Sequence, residues 1–133
     1  MKFLLDTNVI SELRKPRPHG AVVAWMKTHE GESAIPASAV GEMQAGIERT
    51  RRDDPVKAGQ YSAWLEEWLE SFPVIPMGTV EFREWAKLMH RRQAHLYVDA
   101  MIAATARVHA LTVATRNVAD FEPFGVATVN PFE

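Results

Sequence analysis

Short apolar runs alternate with longer amphipathic stretches along the chain. The short runs end at a polar residue or a proline, a pattern that is typical of buried β-strands. The predicted strands span residues 2–5, 32–35, 74–76, 111–114 and 126–129. Between them, apolar residues recur every three or four positions, which is the period of an amphipathic helix. The pattern therefore predicts strands that alternate with helices.

Start and stop signals give the bounds of the predicted helices. Asp6, Thr7 and Asn8 form an N-cap cluster, so a helix follows the first strand and ends at the proline-containing segment 15–18. Ser38 is expected to cap a long helix, and the acidic, proline-containing segment 53–55 separates that helix from the next one. Further helices are predicted over residues 21–28, 56–72, 80–92 and 98–109.

The helix predicted over residues 56–72 carries a stripe of aromatic residues. Tyr61, Trp64, Trp68 and Phe72 follow one another at intervals of three and four. This stripe is more apolar than one face of a surface helix needs. It is typical either of internal core or of a contact between subunits. The second interpretation predicts a homodimer, and the sequence leaves both open.

Alternation of strands and helices indicates an α/β fold with a parallel sheet of four or five strands, flanked by helices. Ligands of such sheets bind outside the carboxyl ends of the strands. Asp6 follows the first predicted strand, and Thr115, Arg116 and Asn117 follow the fourth. We therefore expect the chemistry of this protein at that edge.

The composition excludes several classes of protein. A chain of 133 residues forms one domain, residues 1–133, with a core of its own. The absence of cysteine excludes disulfides, thiolate metal sites and cysteine nucleophiles. No apolar run approaches the ~18 residues of a membrane span, and Asp6 interrupts the apolar run that a signal peptide would need. We therefore expect a cytoplasmic protein that has no contact with a membrane.

The net charge of −2 argues against binding of nucleic acid by bulk electrostatics. Three local basic clusters nevertheless interrupt the sequence, at residues 14–17, 49–52 and 91–92. Such clusters are usually solvated helix ends, but together they could form a rim that faces phosphates.

Three acidic residues lie in otherwise apolar or small-residue surroundings. Asp6 ends the first strand, Glu42 lies within the long helix that starts near Ser38, and Asp99 lies at the start of the helix over residues 98–109. Each has an ordinary alternative, because an Asp at a helix start is commonly a cap and a Glu on a helix is commonly exposed. Their spacing matches no contiguous metal-binding motif.

The chemistry of these acids becomes specific if the fold brings them together. Two carboxylates about 4 Å apart repel by about 4 kcal/mol at an effective dielectric constant of about 20. Either one of them takes up a proton or a cation lies between them. Oxygen ligands favour Mg²⁺ or Mn²⁺, and such an ion activates water and neutralises charge on a phosphoryl group. A converging set of carboxylates therefore indicates hydrolysis of phosphodiester bonds.

Four segments of the chain resemble the PIN-domain family, and within it the VapC and FitB toxins of bacterial toxin–antitoxin pairs. The segments are LLDTNVISEL at 4–13, SAVGEMQAGIER at 38–49, VDAMIAATARVHALTVATRN at 98–117 and ADFEPFGVATVNPFE at 119–133. They follow the family's order from one terminus to the other.

The resemblance implies a PIN fold and an endoribonuclease that depends on Mg²⁺ or Mn²⁺. Asp6, Glu42 and Asp99 match the three principal acids of the family and would hold the metal. Asn8 matches the polar residue that orients the first Asp, and Thr115 matches a hydroxyl position beside the site.

The fourth acidic position departs from the family's pattern. Many relatives have Asp where this chain has Asn117, and Asp120 lies three residues later. We expect Asp120 to supply the fourth catalytic charge and Asn117 to contact the metal-bound water or the substrate. This departure leaves open whether one or two metal ions bind.

The resemblance also implies partners. They are an RNA substrate, an antitoxin like VapB or FitA, and DNA through that antitoxin only. A catalytically weak co-repressor subunit of a DNA-binding complex is the alternative, and the presence of all three acids favours the nuclease. A phosphoacceptor receiver domain would need a paired acid and a Lys where Thr7 and Asn130 stand. A Rossmann domain would need a glycine-rich turn after the first strand, which is absent.

Overall fold

A computed structural model describes all 133 residues and has five strands and seven α-helices. The strands are β1 (Phe3–Leu5), β2 (Ser33–Pro36), β3 (Val74–Ile75), β4 (Thr112–Ala114) and β5 (Thr128–Val129). The helices are α1 (Thr7–Arg14), α2 (Gly20–His29), α3 (Ala37–Asp53), α4 (Pro55–Ser71), α5 (Thr79–Met89), α6 (Tyr97–His109) and α7 (Val118–Phe121). All five predicted strands are confirmed, with bounds that differ by one or two residues.

The strands form one parallel sheet in the order β3-β2-β1-β4-β5. β1 lies in the centre, where Leu4 is paired with Ala34 on one side and with Val113 on the other. The expected α/β class with a parallel sheet flanked by helices is therefore confirmed. The carboxyl ends of all strands meet at one edge, because every neighbouring pair is parallel.

Two apolar clusters cover the two faces of the sheet. Because side chains alternate along a strand, Leu5, Ile35 and Ala114 point to one face, where they pack with α1 to α4. Leu4, Ala34 and Val113 point to the other face, where they pack with α5, α6 and α7. Each face is thus buried by its own layer of helices.

The aromatic stripe of α4 is half-buried and packs on the edge of the first cluster. Trp68 and Phe72 are stacked at 4.6 Å, and Trp64 lies 5.5 Å from Trp68 between ring centroids. The stripe therefore contributes to the core along one side, and the expected homodimer stays a prediction.

Two local predictions are wrong. Ser38 does not cap α3, because the helix already starts at Ala37 and Pro36 occupies the cap position. The Ser38 hydroxyl is instead buried without a hydrogen-bond partner. The helix predicted over residues 80–92 ends at Met89, because His90 leaves the helical conformation with ψ of 119° and Arg91 then adopts a left-handed conformation with φ of 62°. The turn allows the Arg92 guanidinium to donate to the Pro123 carbonyl at 3.0 Å.

No helix combines the length and the apolar character that a membrane span requires.

Candidate active site

Asp6 lies at the junction of β1 and α1, at the carboxyl edge of the sheet. Only 6% of its surface is exposed. Its Oδ1 accepts a hydrogen bond from the Thr7 backbone N–H at 2.7 Å, so Asp6 is also the N-cap of α1. Its Oδ2 accepts from the Thr115 hydroxyl at 2.8 Å and from the Asn8 side-chain amide at 3.2 Å. Both oxygens are therefore held in place by neighbouring donors.

Thr115 connects Asp6 to the loop after β4. Its hydroxyl is fully buried and accepts the Asn117 backbone N–H at 2.9 Å while it donates to Asp6. The Asn8 side-chain carbonyl accepts the Arg116 backbone N–H at 3.2 Å. These bonds join the ends of the two central strands into one rigid edge. The Asn8 amide and the Thr115 hydroxyl, both expected from the sequence to lie beside the site, contact Asp6.

Glu42 reaches this edge from the second turn of α3. Its Oε1 accepts the Thr7 hydroxyl at 2.8 Å, a contact between residues 35 positions apart in the chain. Thr7 thereby holds Glu42 beside Asp6. The sequence placed Thr7 only in the N-cap cluster after the first strand, and its contact with Glu42 was not predicted.

Asp99 and Asp120 come from the opposite layer of helices. Asp99 is the third residue of α6 and half-buried; Leu96 occupies the cap position, so Asp99 does not cap the helix. Asp120 lies exposed on α7, and its side chain caps no helix. Asn117 is the N-cap residue of α7, but its side chain forms no cap bond. Its hydrogen bonds to the site are made by its backbone, whose N–H donates to the Thr115 hydroxyl at 2.9 Å and whose carbonyl accepts from the Asp120 N–H at 3.0 Å.

The four acids influence one another electrostatically. Burial raises the pKa of Asp6, and the charges of Glu42 and Asp120 raise that pKa further against the donors around it. Burial raises the pKa of Asp99 to about 6, with additional contributions from Asp6, Asp120 and Glu42. The fold thus gathers negative charge from four separate segments and leaves it uncompensated by any salt bridge.

The donor set fits a hard divalent cation, because it consists of carboxylate oxygens with a hydroxyl and an amide beside them. No group of three or more acidic or histidine side chains is already close enough to enclose an ion. A bound cation would relieve the mutual repulsion of these carboxylates. Glu42 and Asp120 are exposed to solvent.

The chain belongs to the PIN domain family, whose model matches residues 3–122. It is 34% identical to a protein named VapC ribonuclease Y4jK from Sinorhizobium fredii, over 98% of each chain. It is also 34% identical to Toxin FitB of Neisseria gonorrhoeae, again over 98% of each chain. The resemblance stated from the sequence segments is therefore confirmed.

Solved structures show the same architecture. The crystal structure of FitAcB from Neisseria gonorrhoeae superposes with a TM-score of 0.86 at 32% identity, over 98% of this chain and 99% of that one. The structure of FitAB bound to an IR36 DNA fragment superposes with a TM-score of 0.72 at 28% identity, over 98% and 96%. The PIN-like fold expected from the sequence is confirmed.

Proposed function

We propose that this protein is a toxin of the VapC and FitB type and acts as an endoribonuclease that depends on Mg²⁺ or Mn²⁺. The observation that carries the proposal is the gathering of Asp6, Glu42, Asp99 and Asp120 at the carboxyl edge of the sheet. Relatives named ribonuclease and toxin support the reaction class.

Asp6, Glu42 and Asp99 would hold the metal, with Asp120 adding a fourth charge beside them. The ion would supply activated water and neutralise charge on the scissile phosphate. Asp6 is already oriented by three donors, so little freedom remains to be lost when it binds a cation. Thr7 positions Glu42, and Thr115 and Asn8 position Asp6.

RNA cleavage with matched variants tests this proposal. A mixed single-stranded RNA pool is incubated with the protein in Mn²⁺, in Mg²⁺ and in excess chelator. We expect cleavage with either metal and none with chelator. Glu42→Gln should abolish cleavage. Glu66→Gln is the matched control and should not, because it makes the same chemical change at an exposed position of α4. Cleavage that persists in chelator, or in the Glu42→Gln variant, would contradict the proposal.

An antitoxin is the partner that this function requires, because an unrestrained ribonuclease harms its own cell. The solved FitAB pair is bound to a DNA fragment. We propose a second role of this kind for the present chain and its antitoxin, in which the antitoxin contacts DNA and the toxin does not. The net charge of −2 favours this division of roles. In a gel-shift experiment, we expect the isolated chain to leave its promoter DNA unshifted and the co-expressed pair to shift it.

A further inference from the structure

A pocket of about 570 Å³ lies between the end of α1 and the first half of α4, away from the four acids. Arg14, Lys15 and Lys57 line it together with the aromatic rings of Tyr61 and Trp64. No acidic residue lines it. The fold thus joins the first basic cluster of the sequence to the first half of the aromatic stripe.

Two cations of this pocket, Arg14 and Lys57, lie against aromatic rings, whereas the third, Lys15, is paired with the Glu12 carboxylate at 2.9 Å. The Arg14 guanidinium lies 3.9 Å from the Tyr61 ring centroid and 5.8 Å from that of Trp64. The Lys57 ammonium lies 5.6 Å from the Tyr61 centroid. Neither Arg14 nor Lys57 forms a salt bridge. A ring orients a cation but leaves its charge available, so the pocket presents positive charge beside flat apolar surface.

Basic residues lie near both ends of α1, which runs from the four acids to this pocket. α1 begins at the Asp6 cap and ends at Arg14, and eight residues of helix span about 12 Å. At the start of this path the Arg116 backbone bonds to Asn8. The Arg116 charge also acts on Glu12, whose carboxylate accepts from Lys15 at 2.9 Å. Arg116 thus lies beside the start of α1, Arg14 and Lys15 lie at its other end, and Lys57 lines the pocket from α4.

We infer that this pocket binds one nucleotide of a single-stranded RNA, beside the segment that lies over the four acids. Arg14 and Lys57 contact its phosphate, and its base stacks on the planar surface that Arg14, Tyr61 and Trp64 provide. This inference rests on the proposed ribonuclease function. An acidic peptide would use the positive charge but not the planar surfaces, so the pocket favours RNA.

Binding of a labelled single-stranded RNA tests the inference without cleavage. The parent for all measurements is the Asp99→Asn protein, and affinity is followed by fluorescence anisotropy at several salt concentrations. Lys57→Glu should weaken binding about tenfold or more and reduce its salt dependence. Arg14→Lys keeps the charge but removes the planar guanidinium, and should weaken binding about fivefold or more with its salt dependence unchanged.

Lys87→Glu is the matched control, because Lys87 is exposed on α5, on the opposite face of the sheet. We expect it to bind RNA as the parent does, and circular dichroism verifies that each variant is folded. Parent-like binding by both Lys57→Glu and Arg14→Lys overturns the inference. So does binding of a labelled poly-glutamate peptide that depends on Lys57 when RNA binding does not. Wild-type cleavage is measured separately, so a protein that cleaves RNA without using this pocket leaves the proposed function intact.

Discussion

Asp6 combines a structural and a chemical role in one side chain. One oxygen caps α1 and the other accepts two hydrogen bonds from Thr115 and Asn8. The capping interpretation and the metal-ligand interpretation of this residue are thus compatible, because a carboxylate oxygen has a second lone pair. Asp99 differs, since it caps nothing and its burial is not offset by a hydrogen bond from a neighbour.

The raised pKa of Asp99 predicts a gain in stability when its charge is removed. In the metal-free protein the folded state holds the Asp99 proton up to about pH 6, whereas the unfolded state releases it near the ordinary aspartate pKa of 3.8. The tighter binding of this proton by the folded state adds to the free energy of unfolding. That gain is complete below pH 3.8 and is lost as the pH rises through about 6. Asp99→Asn should therefore abolish RNA cleavage and yet raise the melting temperature at pH 7.5 in chelator.

Melting curves from pH 4 to 7.5 check this sign. The advantage of Asp99→Asn over the wild type should shrink as the pH falls from 7.5 towards 4. A difference in melting temperature that is the same at pH 4 and at pH 7.5 would show that the charge of Asp99 does not destabilise the folded protein.

Thr7 is predicted to act through Glu42. Thr7→Val removes the hydroxyl that holds Oε1 and keeps the shape of the side chain. We expect cleavage to fall about tenfold and the Mn²⁺ midpoint to rise, as is usual when a residue that orients a ligand is lost. Thr7→Ser should restore both, since it keeps the hydroxyl. An unchanged Mn²⁺ midpoint in Thr7→Val would leave Thr7 with a purely structural role.

Single elements bring the acids to the site in different ways. α1 and α3 come from one helical layer and are joined by the Thr7–Glu42 bond, whereas α6 and α7 come from the other layer. α7 has only four residues, from Val118 to Phe121. Its buried Phe121 anchors it in the core and leaves Asp120 exposed towards the other acids.

This geometry predicts that Asp120 and Asn117 differ in function. Asp120 is near enough to raise the pKa of both Asp6 and Asp99, whereas Asn117 contacts the site through its backbone. In a Mn²⁺ titration of cleavage, Asp120→Asn should shift the midpoint to higher concentration and Asn117→Ala should not. The reverse result would transfer the fourth position to Asn117.

For the whole molecule, metal binding should be coupled to folding. The acids approach one another only in the native state, so a cation that relieves their repulsion stabilises that state alone. At about one hundred times the dissociation constant the gain is about 2.7 kcal/mol. Thermal unfolding with millimolar Mn²⁺ against a chelator control measures it. The triple variant Asp6→Asn, Glu42→Gln and Asp99→Asn should show no shift; an equal shift there would place the metal elsewhere.

The sequence by itself determined the strands, the parallel α/β class, the acid at the end of the first strand and the acids near the starts of two helices. These features are local, because the period of the apolar residues and the ends of the strands depend on neighbouring residues such as Leu4, Leu5 and Asp6. It was less accurate at helix ends, where Ser38 and Arg91 depend on how the flanking loops pack.

Only the tertiary structure decided which side chains meet. Three contacts are between residues far apart in the chain. They are the hydrogen bond from Thr7 to Glu42, the electrostatic contact of Asp99 with the other acids, and the packing of Arg14 on the Tyr61 ring. The physical reason is that hydrogen bonds, desolvation and cation–π contacts act over a few ångströms. Those distances are set when the helical layers pack on the sheet, and no local pattern contains them.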